Sequence, residues 1–164
     1  MKKVIIIGCP GSGKSTFGRK LKRITGLPLF HLDMMFWNED KTTVSKAVFI
    51  ARLREAMSNP EWIIDGNYAS TMEMRIRECD TIFYLDYPTD VCIDGVRSRK
   101  GKPRSDLPWI EDDTEDKEFI DFINRYNSEI RPEVIGLLGK YSEKRIIIFK
   151  TRAESEEYLS LLEK

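Results

Sequence analysis

The sequence predicts a single α/β domain in which helices cover both faces of a parallel sheet. Two observations predict it. Five short apolar runs alternate with stretches of helical periodicity, and the first run leads through a glycine-rich turn into an amphipathic segment. A length of 164 residues suits one domain, 1–164, with one substantial core.

The first strand is expected at Val4-Ile5-Ile6-Ile7, an unbroken apolar run of the kind buried on both sides of a parallel sheet. Lys2 and Lys3 before it would suit a secretory leader, but the run stops at Gly8-Cys9-Pro10, short of the roughly 7–15 residues such a leader needs. Phe17, Leu21 and Ile24 mark the first helical face, Leu27 to Leu32 a weaker second strand, and Phe49, Leu53 and Met57 a second helical face. Trp62 to Ile64 and Thr81 to Leu85 give the third and fourth strands, and Ile146 to Phe149 the fifth. Between the last two, Phe119, Phe122, Tyr126, Ile130 and Val134 follow a helical period. Pro132 lies within it and lacks an N–H, which predicts a kink or two helices.

The segment from Lys100 to Asp116 breaks the alternation. Gly101, Pro103 and Pro108 punctuate it, Arg97, Arg99, Lys100, Lys102 and Arg104 crowd its start, and Glu111, Asp112, Asp113, Glu115 and Asp116 crowd its end. It is expected to be a lid insertion, over about 97–116, or else a floppy surface loop.

Hydrophobic residues at 41% and charged residues at 33% describe a soluble globular chain, with no apolar run near the roughly 18–20 residues of a membrane span. Basic and acidic residues balance at 27 each, so direct binding to nucleic acid or a membrane surface is not expected and any phosphate binding must be local. Cys9, Cys79 and Cys92 are odd in number and far apart, suggesting neither a disulfide framework nor a zinc site; a reducing cytoplasm is expected.

Chemistry enters with Gly8-Cys9-Pro10-Gly11-Ser12-Gly13-Lys14-Ser15, which fits G-x-x-x-x-G-K-[ST] without substitution. Glycines let such a turn aim successive N–H groups at phosphate oxygens, and the following helix adds its positive N-terminal end. Lys14 would reach the β- and γ-phosphates of ATP, Ser15 would coordinate Mg²⁺, and Thr16 lies where it could touch the α-phosphate. Strand and helix flank the motif as that role requires.

Candidates for the acceptor side sit where strands end, because such ends line the ligand crevice of an open α/β sheet. Asp65 closes the third strand and is placed to hold Mg²⁺ through water, or to serve as a turn aspartate before Gly66; Asn67 and Tyr68 are candidate substrate contacts, Tyr68 alternatively a packing cap. Asp33 closes the second strand and could take the proton of an acceptor hydroxyl, or cap a turn. His31, two residues before it, is read as pointing elsewhere in a structural role; Phe36 and Trp37 either wall an acceptor pocket or pack helix on sheet, and Asp86 is read as mainly structural. Arg75 and Arg77 are two apart on one helix, so at most one faces the site; Arg125 and Arg131, on the late helix, are candidates to fold onto transferred phosphate.

With these residues in hand, the chain resembles the adenylate-kinase-like P-loop kinases, and within them the topology modulation proteins. The resemblance runs nearly end to end, through 8–16, 27–37, 61–71, 80–88, 99–107 and a final strand followed by Thr151-Arg152. It implies a three-layer P-loop NTPase fold with sheet order 2-3-1-4-5, a lid, and ATP with Mg²⁺. It further implies that Asp65 is the Mg²⁺-associated aspartate, that Arg99 and Arg104 approach phosphates, and that Lys150 to Arg152 flank the adenine. Two positions depart from adenylate kinases. Asn67-Tyr68-Ala69 stands where they carry an aromatic, a proline and an acceptor-binding arginine, and Gly95 stands where an arginine packs on adenine. The expected activity is transfer of the γ-phosphoryl of ATP to a small-molecule acceptor; the alternatives are a nucleoside monophosphate kinase and an ATP-dependent regulatory switch with little turnover.

Overall fold

A computed structural model describes residues 1–164. Strands β1 (Lys3–Gly8), β2 (Leu29–His31), β3 (Trp62–Asp65), β4 (Thr81–Leu85) and β5 (Arg145–Phe149) form one sheet in the order β2-β3-β1-β4-β5. Every neighbouring pair is parallel. The three central strands are the most completely buried, and β3 and β4 are buried at every residue. The edge strands β2 and β5 are only partly covered, β5 despite its apolar Ile146–Phe149 run, because each has a neighbouring strand on one side only.

Because side chains alternate along a strand, β1 feeds two cores. Val4 and Ile6 face one side, with Phe17 and Leu21 of α1 (Lys14–Thr25), Cys92 and Val96 of α5 (Thr89–Arg99), Ile120 and Ile123 of α6 (Lys117–Arg125) and Leu159 of α8 (Arg152–Leu162). Ile5 and Ile7 face the other, with Phe49 and Leu53 of α3 (Lys46–Met57), Met72 and Ile76 of α4 (Ala69–Glu78) and Val134 and Leu138 of α7 (Arg131–Lys140). Each fully buried Val or Ile contributes about 1.5–3 kcal/mol.

Two expectations change in detail. The second strand is shorter than 27–32: Leu32 opens a five-residue helix, α2 (Leu32–Phe36), so Asp33 lies in a first helical turn and not at a strand end. The reason is register. His31 pairs with Asp65, the last residue of β3, and the ladder has no partner beyond it. The late helix does divide, as Pro132 predicts: α6 ends at Arg125, a π-helical turn spans Tyr126–Ile130, and α7 begins with Pro132 in its first turn.

Residues 100–116 form neither helix nor strand, yet they are tied down. Arg97 bonds Glu115 at 2.8 Å, the Gly101 N–H donates to the Glu111 carbonyl at 3.0 Å, and Lys100 donates to the Thr114 carbonyl. The basic start of the segment is thus neutralised by its own acidic end. Trp109 meets Trp37 edge-on at 5.2 Å, and Asp106 and Leu107 are buried. No helix of the protein is long and apolar enough to cross a membrane.

Candidate active site

A cleft of about 390 Å³ opens between the glycine-rich loop, Asp33, the Asp65–Tyr68 turn and the 100–116 segment. The loop is shaped by contact with α5: a methyl group on Gly11 would lie 1.9 Å from the Cys92 carbonyl oxygen, and one on Gly95 would lie 2.0 Å from the Gly11 carbonyl oxygen. Gly95 is therefore where helix and loop backbones touch, a packing reason for its lack of a side chain. The N–H groups of Gly11 and Gly13 donate to nothing in the protein, and those of Lys14, Ser15 and Thr16 open α1 without intrahelical partners. An unpaired cluster of N–H donors at a helix N-terminus suits phosphate oxygens. Lys14 Nζ is held over the loop by the carbonyls of Gly8, 2.8 Å, and Cys9, 3.1 Å, and burial lowers its pKa.

Cys9 and Ser12 are buried within the loop, while Pro10 and Thr16 line the cleft. Ser15 donates its hydroxyl to Asp106 Oδ2 at 2.7 Å, which leaves the oxygen's lone pairs for a ligand. Asp65 lines the same cleft, and a hydroxyl and a carboxylate are hard oxygen donors of the kind that suit Mg²⁺. Asp106 was not singled out in the sequence, although it ends the Arg104-Ser105-Asp106 stretch of the expected lid. Burial opposes its charge, but the Arg104 guanidinium at 2.8 Å and the Ser15 hydroxyl together outweigh burial and hold the carboxyl at about 2.

Asp33 reaches the cleft from α2. Its Oδ1 accepts the Tyr68 hydroxyl at 2.6 Å, Oδ2 has no protein partner, and burial raises its pKa despite that bond. Tyr68 has φ 42° as the N-cap of α4, and its ring packs on Phe36 and Phe49, the packing role read from the sequence, while it also lines the cleft. Phe36 packs and does not line the cleft.

Arg99 and Arg104 both line the cleft and share Glu111 Oε2 at 3.2 and 3.1 Å. Neither contact has hydrogen-bond geometry, so the Arg99 side chain is held by charge alone and its buried Nε has no hydrogen-bond partner. Arg19, Phe119 and Phe122 also line the cleft. Sequence periodicity gave the two phenylalanines to the core, since a helix's apolar stripe does not say which of its members overhang a cavity.

Three residues named as site candidates do not line this cleft. Arg75 is fully buried and donates to the carbonyls of Gly66 at 2.9 Å, Asn67, and Tyr68 at 3.3 Å, bracing the turn from beneath. Burial pushes it down to about 10, leaving it charged at neutral pH. Arg131, expected at transferred phosphate, forks onto Asp86 at 2.8 Å, with Lys150 on the same carboxylate. Arg152 lies outside the cleft lining, over the Tyr87 ring, and donates to the Gly11 carbonyl at 3.0 Å. Asn67 lines the cleft, but its amide clamps Gly8, with Oδ1 accepting from N–H at 3.1 Å and Nδ2 donating to the carbonyl at 2.6 Å. Arg75, the turn and the glycine loop are thereby one connected scaffold. His31, read as turned away, bonds Asp65 Oδ2 through Nδ1 at 2.7 Å.

Similarity to known proteins can be set against this geometry. No protein-family model matches the chain. It is 30% identical to a shikimate kinase of Rhodococcus jostii over 99 aligned residues that take in 51% of the chain and 58% of that relative's length. Among solved structures, shikimate kinase from Acinetobacter baumannii in complex with shikimate superposes over 99% of this chain and 93% of its own, with a TM-score of 0.64 at 15% identity. Shikimate kinase from Bacteroides thetaiotaomicron superposes over 97% and 94%, with a TM-score of 0.59 at 22% identity. The protein therefore has the P-loop NTPase fold of these kinases, with its sheet in the order seen above.

Proposed function

We propose that the protein is an ATP-dependent kinase that transfers the γ-phosphoryl of ATP to a hydroxyl of a small-molecule acceptor. The observation that carries this reading is that a half-buried carboxylate with a raised pKa, Asp33, faces the same cleft as the unpaired N–H groups of the glycine loop. The similarity to shikimate kinases supports it. The loop N–H groups and Lys14 hold the β- and γ-phosphates, and Mg²⁺, held at Ser15 and Asp65, would neutralise charge on the phosphates. The acceptor oxygen bonds to the γ-phosphorus as the bond to ADP breaks, and its proton passes to the unpartnered Oδ2 of Asp33. Arg99, whose side chain makes no hydrogen bond in the protein, stabilises the transferring group, Arg104 assists, and the 97–116 segment acts as the lid that excludes water.

A hydroxyl acceptor is favoured over a nucleoside monophosphate by where the cations are. The turn after Asp65 offers no guanidinium, since Asn67 clamps Gly8, Tyr68 holds Asp33, and Arg75 is buried against carbonyls. An acceptor phosphate bears about two negative charges and needs such a partner.

The test is ATP consumption against shikimate, other hydroxylated ring acids, nucleosides, sugars and nucleoside monophosphates. A hydroxyl compound should accelerate ADP release at least tenfold. Stimulation by a monophosphate alone would replace this reading with a nucleoside monophosphate kinase. Slow ATP loss that no acceptor speeds would favour the nucleotide-regulated switch suggested by the resemblance to topology modulation proteins.

A further inference from the structure

His31 is the only histidine of the chain, and the phosphotransfer scheme leaves it without a role. It ends β2 in register with Asp65 at the end of β3, so the two side chains project from one face of adjacent strands. Nδ1 lies 2.7 Å from Asp65 Oδ2, and both side chains are largely buried, at 12% and 6% exposure. An ionised carboxylate can only accept hydrogen bonds, so a ring nitrogen this close to it carries a proton. Asp65 makes no other side-chain hydrogen bond, which leaves Oδ1 as the oxygen available to the cleft that Asp65 lines.

We infer that His31 is a positioning residue: its Nδ1–H, donated to Asp65 Oδ2, fixes the carboxylate so that Oδ1 is held toward the phosphates and their Mg²⁺. The inference rests on the proposed use of MgATP, though not on any acceptor. Without the imidazole the carboxylate is free to rotate, and it has a nearby cation, Lys14, to rotate toward; Lys14 and Asp65 already interact through their charges. Groups that orient a metal-associated carboxylate from behind are worth roughly 10–100-fold in metal affinity.

Two measurements on the full chain test this. With one histidine, a long-range ¹H–¹⁵N correlation spectrum contains a single imidazole, so its protonation is read without assignment. A proton on Nδ1 is expected; an unprotonated Nδ1 overturns the inference. Thermal stabilisation is then compared for ATP with Mg²⁺ and for ATP with EDTA. His31→Ala should raise the Mg²⁺ concentration needed for half of the magnesium-dependent increment about tenfold, while stabilisation by ATP with EDTA stays within about twofold of wild type. His31→Asn, whose amide nitrogen occupies nearly the place of Nδ1, should recover most of the loss. An unchanged magnesium requirement in His31→Ala, a wild-type protein with no magnesium increment, or equal loss with and without the metal would each overturn it. Failure to find an acceptor sinks the kinase reading alone, because neither measurement uses one.

Discussion

Lys14 and Asp33 bear opposite charges on facing sides of one cleft, and their removal should separate binding from chemistry. Lys14 is held by two loop carbonyls and contributes nothing to either apolar core, so Lys14→Ala should fold normally yet lose at least tenfold in ATP affinity. ATP-dependent thermal stabilisation reads the loss, and wild-type stabilisation together with wild-type turnover would exclude the phosphate-loop role. For Asp33→Asn the expected cost falls on kcat, about 10²–10⁴-fold, with little change in KM for ATP. Burial raises the Asp33 pKa, so the acid limb of the kcat profile should lie above the usual value of 3.8 and vanish in the variant. The sign also governs stability. A carboxyl whose folded pKa is raised favours the fold when protonated, so replacing its charge with a neutral amide should leave Tm unchanged or slightly higher. A kcat profile for Asp33→Asn that keeps the wild-type acid limb would remove Asp33 from the proton's path.

The 97–116 segment belongs to the scale of elements. Its docking onto α1 runs through Asp106, which meets Ser15 and Arg104, and through Ser105, which meets Arg19 at 3.3 Å. With its folded pKa near 2, against a usual 3.8, the Asp106 contribution is fully present above about pH 4 and is lost as the pH falls toward 2. Amide exchange across residues 100–116 should therefore quicken selectively over that window, and Asp106→Asn should quicken it at neutral pH. ATP with acceptor should slow it, because Arg99, whose side chain makes no hydrogen bond in the protein, gains phosphate oxygens to donate to. Equal protection with and without ligands would make the segment a rigid surface loop.

At the scale of the whole molecule, the site depends on a scaffold that no single element contains. Arg75 braces the 66–68 turn, Asn67 of that turn clamps Gly8, and α5 presses on Gly11 from the other side. Arg75→Ala leaves a cavity and several unsatisfied carbonyls, so it should destabilise the protein by about 3 kcal/mol or more, read as a lower denaturation midpoint. An acceptor-binding arginine would instead raise the acceptor's KM at unchanged stability.

The sequence by itself determined the sheet, the phosphate loop and the division of the late helix. These follow from local physics: continuous apolar runs require burial on two faces, a glycine-rich turn before a helix aims its N–H groups one way, and proline cannot donate. Asp33 and Asp65 were legible as candidates because each sits where a strand gives out, even though Asp33 proved to open a helix. The tertiary structure alone decided the partners. Arg75, Arg131 and Arg99 are chemically equivalent in the sequence, yet one is buried on carbonyls, one is paired with Asp86, and one faces the cleft beside Glu111 with no side-chain hydrogen bond. Asp106 and His31 likewise acquired their contacts from Ser15, 91 residues away, and Asp65, 34 away. Periodicity carries which face of an element is apolar; it carries nothing about which distant charge will meet a given side chain, because that is set by how the elements pack.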